Sequence, residues 1–255
     1  MPHPLDRADL RSRVQTRIDV ELDRWAEELA EIGPDVVDLT DPVRALLQGG
    51  KRLRAGFAYW GWRAAGRDDH EGAIALAAAM ELFQAAALVH DDVMDDSETR
   101  RGAPAMHRAL ARAHSERAWH GDPERFGTAG AILAGNLCLG WCDDLFADSG
   151  LPPESLTAAR PVFERMRGQL MGGQFLDIVT SMRPWHDLAD DERIEWARKV
   201  IRYKSAKYSI EHPLLIGATA GGASAADLDA LSRYGLALGE AFQLRDDVLG
   251  VFGDP

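Results

Sequence analysis

Cysteine and positive charge are both scarce in this sequence, and each shortage excludes a class of protein. The 255 residues contain two cysteines, Cys138 and Cys142, which is too few to hold a fold of this size together with disulfides. Lysine and arginine total 29 against 41 aspartates and glutamates, a formal charge of -12. Nucleic acids are bound by basic surfaces, so we expect no nucleic-acid partner.

The sequence also lacks a long uncharged apolar run and a linker rich in proline, glycine or serine. Its longest apolar stretch, residues 73–89, is mostly alanine and contains Glu81 and Gln84, which predicts a buried helix and no membrane span. Residues 1–13 are polar and charged, so we expect no signal segment and a cytoplasmic protein. Without a linker, we expect one domain over residues 1–255.

Alanine and apolar residues at helical spacing are abundant, whereas alternating runs of β-branched residues are scarce. We therefore predict an all-α fold whose helices end at glycine- and proline-containing breaks. The predicted helices cover residues 6–32, 41–66, 71–96, 103–118, 126–149, 153–182, 190–219 and 226–252.

Two acidic clusters each follow an apolar helical run. One reads Val-His-Asp-Asp-Val-Met-Asp at 89–95, and the other reads Leu-Arg-Asp-Asp-Val-Leu-Gly at 244–250. Asp91 and Asp95 are four residues apart, so their carboxylates share a helical face and repel each other unless a cation lies between them. Mg²⁺ would relieve this repulsion, since it binds one or two carboxylates together with water and substrate phosphates. A solvated acidic helix end is the alternative for the first cluster taken alone.

Three groups of basic residues accompany the acidic clusters. They are Lys51 and Arg54, which we place on one helical face, then Arg100 and Arg101, and finally Lys204 and Lys207. Arginine forks and lysine ammonium groups both bind phosphate oxygens. On an acidic chain, these groups and the two acidic clusters predict a site for more than one polyphosphate.

A second interpretation of the first cluster is a metal-dependent phosphohydrolase, in which His90 and Asp91 would form the His-Asp pair. That chemistry needs further metal-binding histidines on neighbouring helices. We favour the polyphosphate site because the remaining histidines form no convincing set: His3, His70, His107, His114, His120, His186 and His212.

Taken together, the motifs resemble the trans-isoprenyl diphosphate synthase family, and in particular its geranylgeranyl diphosphate synthases. They follow the family's order over residues 45–254: Gly-Gly-Lys-Arg-Leu-Arg (49–54), His-Asp-Asp-Val-Met-Asp (90–95), Arg-Arg-Gly-Ala-Pro-Ala-Met-His (100–107), Gly-Gln-Phe-Leu-Asp (173–177), Lys-Ser-Ala-Lys-Tyr (204–208) and Phe-Gln-Leu-Arg-Asp-Asp-Val-Leu-Gly-Val-Phe-Gly-Asp (242–254). Two acidic motifs with the intervening lysine and glutamine motifs are a specific combination. The resemblance implies a single-domain helical bundle of the isoprenoid synthase type with a central active-site cavity.

The resemblance further implies a Mg²⁺-dependent prenyltransferase that joins isopentenyl diphosphate to an allylic diphosphate by 1'-4 condensation. Its catalytic residues would be Asp91, Asp95, Arg100, Lys204 and Asp246. Three Mg²⁺ ions per substrate-bound site would be held by Asp91, Asp95 and Asp246, with Asp247 alongside. Isopentenyl diphosphate would be bound by Lys51, Arg54, Gln84 and Arg101. The allylic diphosphate would be bound by Arg100, Lys204, Ser205 and Gln243, with Gln174 and Asp177 near its site.

Product length depends in this family on residues that precede the first acidic motif. Ala86 and Ala87 lie one turn before Asp91, followed by Phe83 and Met80. Family members that stop at fifteen carbons often have an aromatic residue in place of one of these alanines. We therefore predict a geranylgeranyl product with Phe83 as the floor of the pocket. Phe83 packing elsewhere without limiting the product, and products of fifteen or of twenty-five and more carbons, remain alternatives.

Family members usually continue beyond the second acidic motif, so by resemblance we expect that this chain, which stops at Pro255, lacks the usual C-terminal helices. A non-catalytic subunit of a two-component synthase is the main alternative, although such subunits usually lose acidic motif residues. A terpene cyclase needs no isopentenyl site, so Arg101 and the Gly-Gly-Lys-Arg-Leu-Arg motif argue against it. The family is usually homodimeric, and we expect a homodimer with residues 129–146 and 73–89 as candidate dimer-facing surfaces.

Overall fold

A computed structural model of the protein describes residues 7–253, and its regular structure is almost entirely helical, which confirms the predicted all-α fold. The helices are α1 (Leu10–Ala30), α2 (Val37–Leu46), α3 (Leu53–Ala64), α4 (Glu71–Met94), α5 (Met106–Glu116), α6 (Pro123–Ala147), α7 (Pro153–Met182), α8 (Asp190–Val200), a π-helical segment (Ile201–Glu211), α9 (His212–Ala220) and α10 (Ala225–Phe252). Strands β1 (Thr99–Arg100) and β2 (Ala103–Pro104) form an antiparallel hairpin. Residue 6, the predicted start of the first helix, and Asp254 of the last motif lie outside the described residues.

The described residues divide into two compact units. The first unit comprises two stretches, the chain up to Arg52 and the range Ile74–Ser149. It contains α1, α2, most of α4, the hairpin, α5 and α6. The second comprises Leu53–Ala73 and the chain from Gly150 onward, and it contains α3, α7, α8, the π-helical segment, α9 and α10. The expectation of a single domain stays a prediction.

The first unit is built around the apolar stripe of α1. Five buried side chains recur along this helix at intervals of three and four residues, as the helical period requires: Leu10, Val14, Ile18, Leu22 and Trp25. The last of these stacks on Trp141 of α6, with ring centroids 4.8 Å apart and planes inclined by 4°. The stacked indoles join the two helices.

Helix α4 is apolar on nearly every side. Among the residues that the structure describes, it alone is long and apolar enough to cross a membrane, yet 83% of its most apolar window is buried. A helix that is apolar all round and buried is typical of the core of a large globular protein. The candidate dimer surface over residues 73–89 is therefore mostly covered within the chain.

The predicted helix over residues 41–66 is wrong, because residues 47–52 interrupt it. Gly49, Gly50 and Arg52 have φ angles of 68°, 90° and 51°, in the left-handed region that an α-helix excludes. Lys51 consequently lies in a loop and does not share a helical face with Arg54, which belongs to α3.

The predicted helix over residues 103–118 begins later, at Met106, because the hairpin occupies its first residues. Arg101 and Gly102 form the two-residue turn and have φ angles of 55° and 79°. Two positive φ angles are the signature of a type I′ turn, whose twist matches that of the flanking strands. The turn places Arg100 in β1 and Arg101 at the tip.

The predicted helix over residues 190–219 is continuous, but its hydrogen bonding changes twice. Residues Ile201–Glu211 are π-helical between α8 and α9, so each turn is wider and closes with i→i+5 hydrogen bonds. Apolar periodicity alone does not distinguish this segment from an α-helix, because it interrupts the helical pattern for only eleven residues.

In the second unit, α3 and α9 cross at backbone contact. A Cβ atom at Gly217 would lie 1.8 Å from the carbonyl oxygen of Ala58, and one at Gly61 would lie 2.1 Å from that of Leu214. Both contacts are with backbone carbonyl oxygens, which cannot rotate away as a side chain can. Any residue larger than glycine at position 61 or 217 therefore forces α3 and α9 apart.

Gly217→Ala is therefore expected to lower the free energy of unfolding by about 1–3 kcal/mol through overpacking, measured by urea denaturation. Gly168→Ala is the matched control, since Gly168 lies within α7 of the same unit and its Cβ would meet no atom within 4 Å. Alanine's helix propensity should make that variant up to about 1 kcal/mol more stable. Equal effects of the two substitutions would contradict the close crossing.

Candidate active site

The first acidic motif forms the last turn of α4. The amide of Asp95 donates to the carbonyl of Asp91 at 2.8 Å, and Ser97 donates to the carbonyl of Asp92 at 2.9 Å. Asp96 ends the helix with a φ of 53°, as a left-handed C-terminal residue commonly does. Carboxylates at this end oppose both each other and the negative end of the helix dipole. The turn is therefore a favourable place for a cation.

Arg100 supplies one positive charge to this turn. Its Nε donates to Oδ1 of the buried Asp92 at 2.9 Å, its Nη2 donates to the same oxygen, and Nη2 lies 3.7 Å from Oδ2 of Asp91. The hydrogen bonds that Arg100 donates to Asp92, followed by the negative charges of Asp92, Asp91 and Asp95, raise the pKa of Arg100 above its ordinary value. The sequence motifs assign no role to Asp92, whereas in the structure its carboxylate anchors this arginine.

Arg52 is a second residue that the motif analysis missed. Its side chain is 4% exposed, and Nη1 donates to Oε2 of Glu81 on α4 at 3.1 Å. Nη2 donates to the side-chain oxygen of Gln15 on α1 and to the carbonyl of Leu47. The arginine next to Lys51 thus ties the glycine-rich loop to α1 and α4 and to the carbonyl of Leu47 at the start of the same loop. The sequence did contain one signal for this pair: Glu81 is an acidic residue within the apolar run of α4, and a buried acid needs a positively charged partner.

The hairpin and the glycine-rich loop lie side by side. Nη1 of Arg101 donates to the carbonyl of Leu46 at 3.1 Å, and a Cβ at Gly50 would lie 3.7 Å from the same guanidinium. Arg100 and Arg101 of the hairpin line a cavity of about 570 Å³ together with Asp92 and Gln48, the residue just before the two glycines. The structure therefore brings Arg101 close to the loop that carries Lys51. Isopentenyl diphosphate binding by Lys51, Arg54, Gln84 and Arg101 stays a prediction.

The predicted chain-length residues occupy different sides of α4. An α-helix turns about 100° per residue, which places Met80, Gln84 and Ala87 within about 40° of Asp91 around the axis. Phe83 lies about 80° away, and Ala86 about 140° away. Met80, Phe83 and Ala86 are at most 2% exposed, whereas Gln84 and Ala87 are partly exposed. Ala87 thus shares the side of Asp91 and Ala86 does not.

The second unit gathers Lys204, Ser205 and Gln243 in one cavity, whereas Arg100, the fourth residue predicted to bind the allylic diphosphate, lies in the first unit. This cavity, of about 390 Å³, is lined by residues from three motifs, including Asp177, Lys204, Ser205, Gln243 and Asp247. Nζ of Lys204 lies 2.6 Å from Oδ2 of Asp177, and the amide of Gln243 donates to Oδ1 of Asp247 at 2.7 Å. Gln174 precedes Asp177 on α7 by one turn, and the exposed Asp246 precedes Asp247 on α10.

Arg54 also belongs to the second unit, where it meets the π-helical segment. Its Nη2 donates to the hydroxyls of Tyr208 and Ser209, both at 2.7 Å, and its guanidinium lies 4.3 Å from the centre of the Tyr208 ring. These neutral groups orient the arginine without neutralising its charge, which suits a residue that binds an anion.

The acidic motifs fit a magnesium site that is completed by substrate. Among residues 7–253, no three His, Cys, Asp or Glu side chains are grouped closely enough to hold a metal ion by themselves. Mg²⁺ is usually held by one or two carboxylates, with water and substrate phosphates in the remaining positions. Asp91 and Asp95 provide such a pair in the first unit, and Asp246 and Asp247 provide carboxylates in the second. Their roles as metal ligands remain predictions.

Comparison with known proteins identifies the class. Residues 37–255 match the polyprenyl synthetase family, and the chain belongs to that family. A crystal structure of geranylgeranyl pyrophosphate synthase from Corynebacterium glutamicum, complexed with isoprenyl diphosphate and magnesium, is similar with a TM-score of 0.90 and 42% identity over 96% of this chain and 69% of that one. The predicted family and the isoprenoid synthase fold are both confirmed.

Two curated relatives bear on the particular activity. The chain is 32% identical to a short chain isoprenyl diphosphate synthase of Methanothermobacter thermautotrophicus, over 91% of its own length and 63% of the relative's. It is also 32% identical to a geranylfarnesyl diphosphate synthase of Aeropyrum pernix, over 92% and 67% of the two chains. The chain thus spans about two thirds of these relatives, and overall identity does not select one product length.

Breaking the buried Arg52–Glu81 pair should destabilise the protein strongly. Arg52→Met leaves the Glu81 carboxylate buried without this cation, and loss of one partner of a buried pair costs about 3–5 kcal/mol, measured by urea denaturation. Arg112→Met is the matched control, since the side chains of Arg112 and Glu116 are 74% and 62% exposed and such pairs contribute about 0.2–1 kcal/mol. Similar losses in the two variants would show that the buried pair does not anchor the loop.

Proposed function

We propose that the protein is a Mg²⁺-dependent isoprenyl diphosphate synthase, which condenses isopentenyl diphosphate with an allylic diphosphate to give a longer trans-prenyl diphosphate. The observation that carries this proposal is the cavity that collects Asp177, Lys204, Ser205, Gln243 and Asp247 from three separate motifs. The names of the relatives, and the isoprenyl diphosphate and magnesium in the similar Corynebacterium glutamicum structure, support it.

In this proposal, the allylic diphosphate binds through Lys204, Ser205, Gln243 and Arg100. Ionisation of the allylic carbon–oxygen bond places negative charge on the departing diphosphate, which Lys204 and Arg100 stabilise. Three Mg²⁺ ions, held by Asp91, Asp95 and Asp246, would supply further positive charge to the leaving group.

Isopentenyl diphosphate binds through Lys51, Arg54, Gln84 and Arg101, so that its double bond attacks the allylic cation. The new carbon–carbon bond leaves a cation on the isopentenyl part, and loss of a proton to the released diphosphate restores an allylic diphosphate. No protein base is required. The apolar side of α4 excludes water, which would otherwise capture the cation.

We also propose that the enzyme acts in the cytoplasm as a single-domain homodimer and binds no nucleic acid. The exposed apolar side chains of Ile132 and Leu133 on α6, 43% and 54% exposed, support this helix as the dimer surface. A non-catalytic subunit of a two-component synthase is the alternative, and the intact acidic motifs argue against it.

The first test is a product assay with Mg²⁺, isopentenyl diphosphate and, separately, the five-, ten- and fifteen-carbon allylic diphosphates, with product length read by mass. We expect geranylgeranyl diphosphate, and a loss of at least about 100-fold in kcat for Asp91→Asn, because a carboxylate that binds the metal is removed. Asp190→Asn on α8 is the control, since the Asp190 side chain is 92% exposed and should be dispensable. Folded wild-type protein that binds Mg²⁺ but forms no product would favour the subunit alternative.

A second test concerns product length. Phe83→Ala should extend the product beyond twenty carbons if the ring is the floor of the pocket. Leu82→Ala is the control, because Leu82 is also fully buried but points about 180° away from Asp91. Both variants should lose about 2–5 kcal/mol of stability, so only the product distinguishes them. An unchanged product from folded Phe83→Ala would remove Phe83 from the pocket.

A further inference from the structure

The π-helical segment Ile201–Glu211 presents two different faces. Because its hydrogen bonds close at i→i+5, residues four and five positions apart lie on one side. One side, the site face, carries Lys204, Ser205, Tyr208 and Ser209, which line the cavity or hold Arg54. The other side carries Lys207 and Glu211, so the two lysines of the Lys-Ser-Ala-Lys-Tyr motif point in different directions.

A buried ionic network occupies the second face. Nζ of Lys207 donates to Oε2 of Glu211 at 2.8 Å, and Oγ of Ser232 on α10 donates to Oε1 at 2.7 Å. Glu211 is 4% exposed and the adjacent His212 is 2% exposed. Burial lowers the pKa of His212 to about 4, so at neutral pH this histidine is uncharged and Lys207 is the cation opposite Glu211. Both oxygens of the carboxylate are therefore satisfied by partners on two elements.

Glycines on the neighbouring helices hold the same segment at backbone distance. A Cβ at Gly173 of α7 would lie 2.6 Å from the amide nitrogen of Lys204, and one at Gly239 of α10 would lie 2.7 Å from Cα of Ala206. A Cβ at Gly235 of α10 would lie 2.8 Å from Cα of Glu211. The wide turns of the segment thus fit between α7 and α10 only because these positions lack side chains.

The register of this segment needs such support, because a π-helix has no advantage over an α-helix in isolation and is rare at this length. A change to α-helical bonding removes about one residue from each turn, which rotates the two ends of the segment relative to each other. Lys204 and Glu211 would then be unable to keep their partners on α7 and α10 at the same time. The network at the end of the segment is therefore mechanically linked to the site face.

We propose that Glu211, held by Lys207 and Ser232, is a positioning residue that maintains the π register and thereby sets the site face for the diphosphates. The effect of Glu211 on catalysis rests on the proposed function. Its role in maintaining the π-helical hydrogen-bond register does not depend on that function. Glu211 does not touch substrate; it acts through Lys204 and Ser205 in the cavity and through the two hydroxyls that hold Arg54.

The test compares Glu211→Gln with the wild type, both as full chains. The neutral amide no longer pairs with Lys207, so we expect faster amide hydrogen exchange within residues 201–211. We also expect about tenfold weaker calorimetric binding of inorganic pyrophosphate with Mg²⁺, as loss of a charge-assisted contact implies, and a comparable rise in KM for the allylic substrate. A merely structural role would lower the melting temperature but leave the pyrophosphate affinity of the folded protein unchanged.

Three further variants keep the test decisive if Glu211→Gln does not fold. Ser232→Ala removes one neutral hydrogen bond and should weaken pyrophosphate binding by about two- to threefold. Lys207→Arg retains the charge and should preserve binding. Glu195→Gln is the matched control, because Glu195 pairs with Lys199 at the same i,i+4 spacing and the two side chains are 68% and 45% exposed; it should behave as wild type.

The outcomes separate this inference from the proposed function. A wild-type protein without prenyl transfer would overturn the proposed function, while exchange in residues 201–211 and pyrophosphate binding would still decide the role of Glu211. Wild-type exchange and affinity in Glu211→Gln, or in Ser232→Ala if Glu211→Gln does not fold, would overturn the positioning role whatever the activity. A loss of pyrophosphate affinity in Glu195→Gln equal to that in Glu211→Gln would also overturn the positioning role.

Discussion

Repulsion between carboxylates is the constraint on which the candidate site depends. The chain is acidic overall, and it concentrates aspartates on the last turn of α4, where they also oppose the helix dipole. Each unit offsets part of this charge internally: Asp92 binds Arg100, and Asp177 binds Lys204. The basic groups are thus partly neutralised before any ligand arrives. A divalent metal that arrives with the proposed diphosphate substrates would offset the remaining negative charge, because Mg²⁺ is held by carboxylates and substrate phosphates together.

Buried ion pairs lie behind the residues predicted to bind ligand in both units. Arg52 and Glu81 anchor the loop next to Lys51, and Lys207 and Glu211 lie on the far side of the segment that carries Lys204. Desolvation limits the net stability that such pairs provide, whereas the loss of one partner is costly. Their main effect is therefore on backbone geometry. One pair holds the loop that carries Lys51, and the other holds the π-helical segment that carries Lys204.

Local signals in the sequence predicted most of the helices. The bounds of α7 agree with the prediction because Pro152 and Pro153 mark its start. The left-handed backbone at Arg52, the hairpin at Arg101 and the π-helical segment were not predicted. Each is stabilised by contacts with residues distant in the sequence, such as Glu81 for Arg52 and Ser232 for Glu211, and a periodicity analysis does not contain that information. The assigned ligand roles came from family resemblance, and the structure adds Asp92, Arg52 and Glu81 to the residues that support them.

The anchoring of Arg52 has a consequence for the order of folding. Its partners Gln15 and Glu81 are 37 and 29 residues away along the chain, so each of these bonds forms only after the entropy of closing its own long loop has been overcome. We therefore expect the left-handed conformation of the glycine-rich loop, and with it the position of Lys51, to be fixed only once residues of α1 and α4 have come together around Arg52.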